Sequence, residues 1–259
     1  MTDGVGGFCA IAVMAKAPLV GEVKTRLAPP LSATEAAALS GCFIRDIADN
    51  IIAASHSAPI HGYLAYSPAG SEPVFRALLP EAIRLLPPRR SGLGHSLADA
   101  ARDLLAAGYG SVCLVNSDSP TLPTAFLVDA AMALRAPDDR LVLGPAADGG
   151  YYCIGLKRPH LRLFEEIAWS TPRVFAQTCD RAREIGLAVV LLPPWYDVDD
   201  PASLRRLAGE VLGGERCGSG GMPYAASRTA AFLRCLFDDG GNHRLGVASP
   251  GRGAGCASG

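Results

Sequence analysis

The stretch Val112-Cys113-Leu114-Val115-Asn116-Ser117-Asp118-Ser119-Pro120 carries the reading of the fold. Val112 to Asn116 is a short apolar run, which predicts a buried strand. Asp-Ser-Pro then supplies turn chemistry at its end. Cys9 to Ala15 shows the same kind of run, and Ile60 to Tyr66, Leu141 to Gly144, Tyr152 to Leu156 and Ala188 to Leu192 predict further strands. Helical patterns alternate with them. Ser32 and Glu35 stand at capping-box spacing ahead of a helix reaching Ser55, with Leu39, Phe43, Ile47 and Ile51 on one face. Helices are also predicted over Leu93 to Ala107, Ala125 to Arg135, Pro172 to Ile185 and Pro201 to Leu212. This alternation predicts an α/β fold, a mostly parallel central sheet with helices on both faces.

The 259 residues are 49% hydrophobic and 19% charged, enough to bury a sizeable core. A net charge of -1 gives no basic field for nucleic acid. Apolar runs fall short of the roughly 18 residues of a membrane span. Met1 to Gly7 lacks Lys and Arg, unlike a signal peptide, so the cytoplasm is the expected compartment. The eight cysteines show no C-x-x-C spacing, and Cys9, Cys113 and Cys153 read as small buried residues. The pattern predicts one domain over residues 8–212. A Gly/Ser-rich tail over 213–259, mostly flexible, carries one possible short helix at 226–237.

Six segments hold residues suited to chemistry. Lys16, Gly21, Lys24, Thr25 and Arg26 follow the first strand, where ligands of open α/β sheets sit and where cations hold phosphates. Val23 stands where a Walker A loop needs glycine, which rejects that motif. Ser117-Asp118 ends a central strand. Asp118 suits either a hard cation or the cap of the next helix. Asp148-Gly149-Gly150 permits close backbone approach to a ligand or a plain hairpin turn. Asp197, Asp199 and Asp200 precede a helix that needs only one cap. Gly92 and Gly94 open a helix whose N–H groups suit an anion or a base edge. Trp169-Ser170-Thr171 can be a helix cap.

Taken in order, Lys16-x-Pro18-x-x-Gly21-x-x-Lys24-Thr25-Arg26-Leu27, Gly92-Leu93-Gly94, Ser117-Asp118-Ser119-Pro120, Asp148-Gly149-Gly150-Tyr151, Trp169-Ser170-Thr171 and Asp197-x-Asp199-x-Pro201 resemble the rSAM/selenodomain-associated transferases. These are also called arsenosugar-biosynthesis-type glycosyltransferases. The resemblance implies a GT-A-like fold of the nucleotide-diphospho-sugar transferase superfamily. It implies Mg²⁺ or Mn²⁺ on Asp118 with Asp197 or Asp199, and a phosphate loop of Lys16, Lys24 and Arg26.

Three activities compete. The first is glycosyl transfer from a nucleotide sugar, with Lys24 and Arg26 stabilising the departing diphosphate and Asp148 serving the hydroxyl of a small-molecule acceptor. The second is nucleotidyl transfer from a nucleoside triphosphate with release of pyrophosphate. The third is nucleotide binding without catalysis.

Overall fold

The computed structural model describes residues 5–213 and 221–238. Seven strands form one sheet: β1 (Cys9–Lys16), β2 (Ile60–Ser67), β3 (Arg84–Leu86), β4 (Ser111–Asn116), β5 (Arg140–Pro145), β6 (Tyr151–Leu156) and β7 (Ala188–Leu191). Their spatial order is β3-β2-β1-β4-β6-β5-β7. β1 pairs in parallel with β2 (Cys9 opposite Ile60) and with β4 (Cys9 opposite Ser111). β6 is antiparallel to both β4 and β5, while β7 is parallel to β5. β6 therefore runs against the other six strands, and the sheet is mostly parallel.

Among the described residues the α-helices are α1 (Ala33–Ser55), α2 (Glu72–Leu78), α3 (Leu93–Ala106), α4 (Thr124–Ala133), α5 (Val174–Glu184), α6 (Pro201–Gly213) and α7 (Ser227–Leu236). Ile11 and Val13 face a core shared with α1, α4, α6 and α7, while Ala10 and Ala12 face α3 and α5. Both faces of β1 are thus buried, as its unbroken apolar run requires. The capping box of α1 is formed: Glu35 N–H donates to Ser32 Oγ at 3.2 Å, and Ser32 N–H to Glu35 Oε2 at 2.6 Å.

The structure adds α2 and β3, whose short lengths leave little periodicity to read. It also starts α5 at Val174 rather than Pro172: Thr171, Pro172 and Arg173 form a turn ahead of the helix, in which Val174 N donates to Thr171 O at 3.3 Å. α7 packs on α1 and α6. Its first turn is satisfied from α1, where the buried Asp46 carboxylate accepts from Arg228 N at 3.0 Å and Thr229 N at 2.8 Å. Most of the expected Gly/Ser-rich tail, at 214–220 and 239–259, lies outside the described residues. Among the described residues no helix is long and apolar enough to cross a membrane.

Candidate active site

β1 and β4 run side by side with Met14 opposite Asn116, so the turns that follow them open at one edge of the sheet. A cleft of about 1130 Å³ lies there. All six segments singled out in the sequence reach it, through Lys16, Lys24, Thr25 and Arg26, then Gly92, Ser117 and Asp118, Asp148, Trp169, and Asp197 with Asp199. Gly21 and Gly94 are not on its wall. Gly21 has φ +79°, a turn conformation that side chains disfavour. Gly94 supports Trp169, because an added Cβ would collide with the indole nitrogen and come within 2.7 Å of Cε2.

The first-turn cations divide. Lys24 adopts left-handed backbone, φ 49°, and turns inward. Its ammonium is 2.8 Å from Asp118 Oδ1 and 2.7 Å from Asp199 Oδ1, and it donates to Val198 O at 2.9 Å. Burial lowers its pKa, but the charges of Asp118 and Asp199 outweigh burial and leave it above the usual lysine value. All three ammonium hydrogens are committed, so Lys24 organises carboxylates rather than standing free for phosphate. Arg26 is exposed on the cleft, and Lys16 is held lightly by Glu22, donating to its carbonyl at 3.0 Å.

Asp200 takes the capping work at α6: its carboxylate accepts from Ser203 N at 2.7 Å, and that bond leads in lowering its pKa. Asp197 and Asp199 are thereby left to the cleft. Asp197 is raised to about 6, first by burial and then by the charges of Asp148, Asp199 and Asp118. Asp118 is not a helix cap, because its carboxylate meets Lys24 and the Ser117 hydroxyl, which donates to it at 3.1 Å. Asp148 accepts from Gly150 N at 2.8 Å and stays exposed.

The loops bearing these acids are tied together by buried bonds that the sequence did not reveal. Val198 N donates to Asp118 O at 2.9 Å, and Ser119 Oγ to Tyr196 O at 2.9 Å. The Tyr196 hydroxyl and Thr121 Oγ1 both donate to Glu210 of α6. Ala147 N donates to Trp195 O at 3.0 Å, joining the Asp148 turn to the same segment. Arg89 and Arg90 were missed too, although Pro87-Pro88-Arg89-Arg90 just ahead of the glycine-rich helix entry was a usable signal. Both line the cleft, bound to Asp103 at 2.6 Å and to Asp99 at 2.8 and 2.6 Å.

A hard divalent cation fits this donor chemistry. The available ligands are carboxylate oxygens, and Asp148 and Asp197 line the same cleft as the Asp118 and Asp199 carboxylates that Lys24 bridges. Among the described residues no three His, Cys, Asp or Glu side chains already converge as a ligand set, because Lys24 lies between Asp118 and Asp199.

The mostly parallel seven-stranded sheet, covered on both faces and with its cleft at the β1 and β4 ends, is the nucleotide-diphospho-sugar transferase fold. Residues 51–171 match the family described as "Uncharacterized protein conserved in bacteria (DUF2064)". A crystal structure from Desulfovibrio desulfuricans G20, itself only provisionally assigned as a nucleotide-diphospho-sugar transferase, is 28% identical, with a TM-score of 0.75 over 92% of this chain and 97% of that one. A CMP:2-keto-3-deoxy-manno-octonic acid synthetase complexed with CTP shares the fold at 12% identity, with a TM-score of 0.52 over 80% of this chain and 100% of that one. No curated protein matches the chain.

Proposed function

We propose that the protein is a nucleotide-dependent transferase acting as a glycosyltransferase on a nucleotide diphospho-sugar. The observation that carries this reading is the gathering of Asp118, Asp148, Asp197 and Asp199 with Lys24 and Arg26 in one cleft. The 28% identity to the Desulfovibrio protein along nearly the whole chain supports the same class.

In this reading Asp118, with Asp197 or Asp199, would hold Mg²⁺ or Mn²⁺. The metal, when bound, would neutralise the leaving diphosphate. Lys24 fixes the two carboxylates that flank it and neutralises part of their charge. Arg26 is the exposed fork that meets a phosphate oxygen, with Lys16 beside it as a second cation. Thr25, Ser117 and Gly92 border the same space and would contact the nucleotide. Asp148, exposed and free of any cation partner among the described residues, would orient or accept the proton of an acceptor hydroxyl.

Incubation with a panel of nucleotide sugars and Mn²⁺ tests the reading, with release of nucleoside diphosphate as the readout. Asp118→Ala should abolish release and the metal-dependent thermal shift. An Asp118→Ala protein that binds nucleotide and metal like the parent overturns the metal assignment. A second reading, nucleotidyl transfer from a triphosphate, draws on Arg89 and Arg90 lining the cleft in addition to the first-turn cations. Pyrophosphate release in a parallel assay separates it from the first. Tight binding of a nucleotide with no turnover of any acceptor would instead favour a binding module.

A further inference from the structure

Trp169 lines the cleft, and its indole offers no charge to a phosphate and no ligand atom to a hard metal. Its setting is built at both ends. At one end the indole lies against Gly94 in the first turn of α3, with Cε2 and Cζ2 only 2.7 and 2.9 Å from where a Cβ would stand. No other residue fits there without moving the ring. At the other end Pro172 presses on Gly149, which has φ +89° and would place a Cβ 2.7 Å from the Pro172 Cα. Phe175 N donates to Gly149 O at 3.0 Å and closes that junction.

Between the two contacts the backbone is pinned by side chains. Ala168 N donates to Gln177 Oε1 at 2.8 Å, and Thr171 Oγ1 to Ala168 O at 2.7 Å. Ser170 is held at φ +61°, a conformation that non-glycine residues adopt only under constraint. The loop is therefore a fixed bridge between α3 and the Asp148 turn. The exposed Lys16 ends β1 and the exposed Arg26 follows in the next turn, so both come from chain segments other than this loop.

We propose that Trp169 is the wall against which the acceptor lies, and that the acceptor is a hydroxyl-bearing ring compound of the carbohydrate or cyclitol class. The inference rests on the transferase reading. A rigid indole offers an apolar face to the C–H side of such a ring. The carboxylate of Asp148, on the turn to which the loop is clamped, accepts hydrogen bonds from ring hydroxyls. Trp169 and Asp148 line the same cleft, so a ring resting on the indole would have its hydroxyls on the side of the cleft that carries that carboxylate.

The two tryptophans make the test direct. Trp195 is 4% exposed within the core, and the part of the emission response that Trp169→Phe removes reports Trp169. The full-length protein is titrated with UDP-glucose, GDP-mannose, CTP and GTP, each with Mn²⁺. With the nucleotide that binds, glucose 1-phosphate, mannose 1-phosphate and myo-inositol 1-phosphate are then added, with open-chain glycerol 3-phosphate as control. A ring compound should quench Trp169 emission and glycerol 3-phosphate should not.

Trp169→Ala should raise the ring acceptor's KM by about tenfold or more while its nucleotide Kd stays within about threefold of wild type. Trp169→Phe, which keeps a flat ring and guards against a folding defect, should stay within about threefold on both. Gly94→Ala, which displaces the indole without removing it, should reproduce the acceptor defect. Quenching by nucleotide alone, or equal loss of nucleotide and acceptor in Trp169→Ala, makes Trp169 a base platform and overturns the proposal. Absence of any ring-dependent quench in a nucleotide-binding wild type overturns it as well. A wild type that binds no nucleotide sinks the transferase reading and this assignment together.

Discussion

Lys24→Met distinguishes an inward-turned lysine from a phosphate ligand. The Lys24 side chain is 6% exposed, against 32% for Asp118 and 45% for Asp199. Removing one partner of a fully buried ion pair costs about 3–5 kcal/mol. Here the two carboxylates keep contact with water and rehydrate, and the desolvation cost of the ammonium disappears with it. The net loss should therefore be smaller, about 1–2 kcal/mol. The folded pKa of Lys24 lies above its unfolded value, so the charged lysine stabilises the fold below its unfolded pKa, and that contribution is lost only as pH rises through the folded pKa. At pH 7 the full effect is present. For a chain of this size the loss corresponds to a fall in Tm of roughly 2–8 °C. A second consequence is opposite in sign: without the ammonium, Asp118 and Asp199 repel each other and should attract Mn²⁺ more strongly. Thermal melts of wild type and Lys24→Met, with and without Mn²⁺, measure both. The mutant should melt lower in chelator and gain more from Mn²⁺ than wild type does. An unchanged Tm in chelator together with an undiminished Mn²⁺ response identical to wild type would refute the inward-turned lysine. Loss of nucleotide binding with unchanged stability would restore it as a phosphate ligand.

Three further outcomes are expected. Asp197 has its pKa raised to about 6, so the folded state binds more protons than the unfolded chain between about pH 4 and 6 and loses stability as pH rises through that window; Asp197→Asn should add about 1 kcal/mol at pH 7 after discounting for solvent screening and add nothing at pH 4, as denaturant curves would show, and loss of the Mn²⁺ shift in its melts would assign Asp197, rather than Asp199, as the second ligand. Gly149→Ala combines a disfavoured φ with a collision against Pro172 and should cost about 2 kcal/mol or more in urea unfolding, whereas a loss below about 0.5 kcal/mol would mean the clamp is loose. Asp46→Ala removes the acceptor of two buried N–H groups at the start of α7 and should cost about 1–2 kcal/mol, with faster amide exchange at Arg228 and Thr229 as its local signature.

Much of this molecule is legible in its residues one segment at a time. The apolar runs at Cys9 to Ala15 and Val112 to Asn116 could be buried only in a sheet covered on both faces, and that is where β1 and β4 lie. The Ser32–Glu35 box marked the start of α1 to the residue, because a capping box is a local interaction that needs nothing beyond four neighbouring positions. The six segments named as sources of chemistry all reach one cleft, since each follows or precedes a regular element whose end the sheet places at a common edge.

What local sequence could not decide was the direction and partner of each polar side chain. Lys24 and Arg26 stand two residues apart in one turn; the left-handed backbone at Lys24 sends its ammonium to Asp118 and Asp199, on loops 94 and 175 residues away, and leaves Arg26 exposed on the cleft. Asp197, Asp199 and Asp200 are equivalent by composition, and only the hydrogen bond to Ser203 separates the helix cap from the two cleft acids. Gly94 looked like a ligand-facing glycine and proves to be a seat for Trp169, 75 residues further on. Tyr196, Thr121 and Glu210 gave no signal at all, because their function is to meet one another across the fold. Periodicity and capping are short-range and are written in adjacent residues. Charge pairing, burial and close packing join distant residues, and only the tertiary structure brings them together.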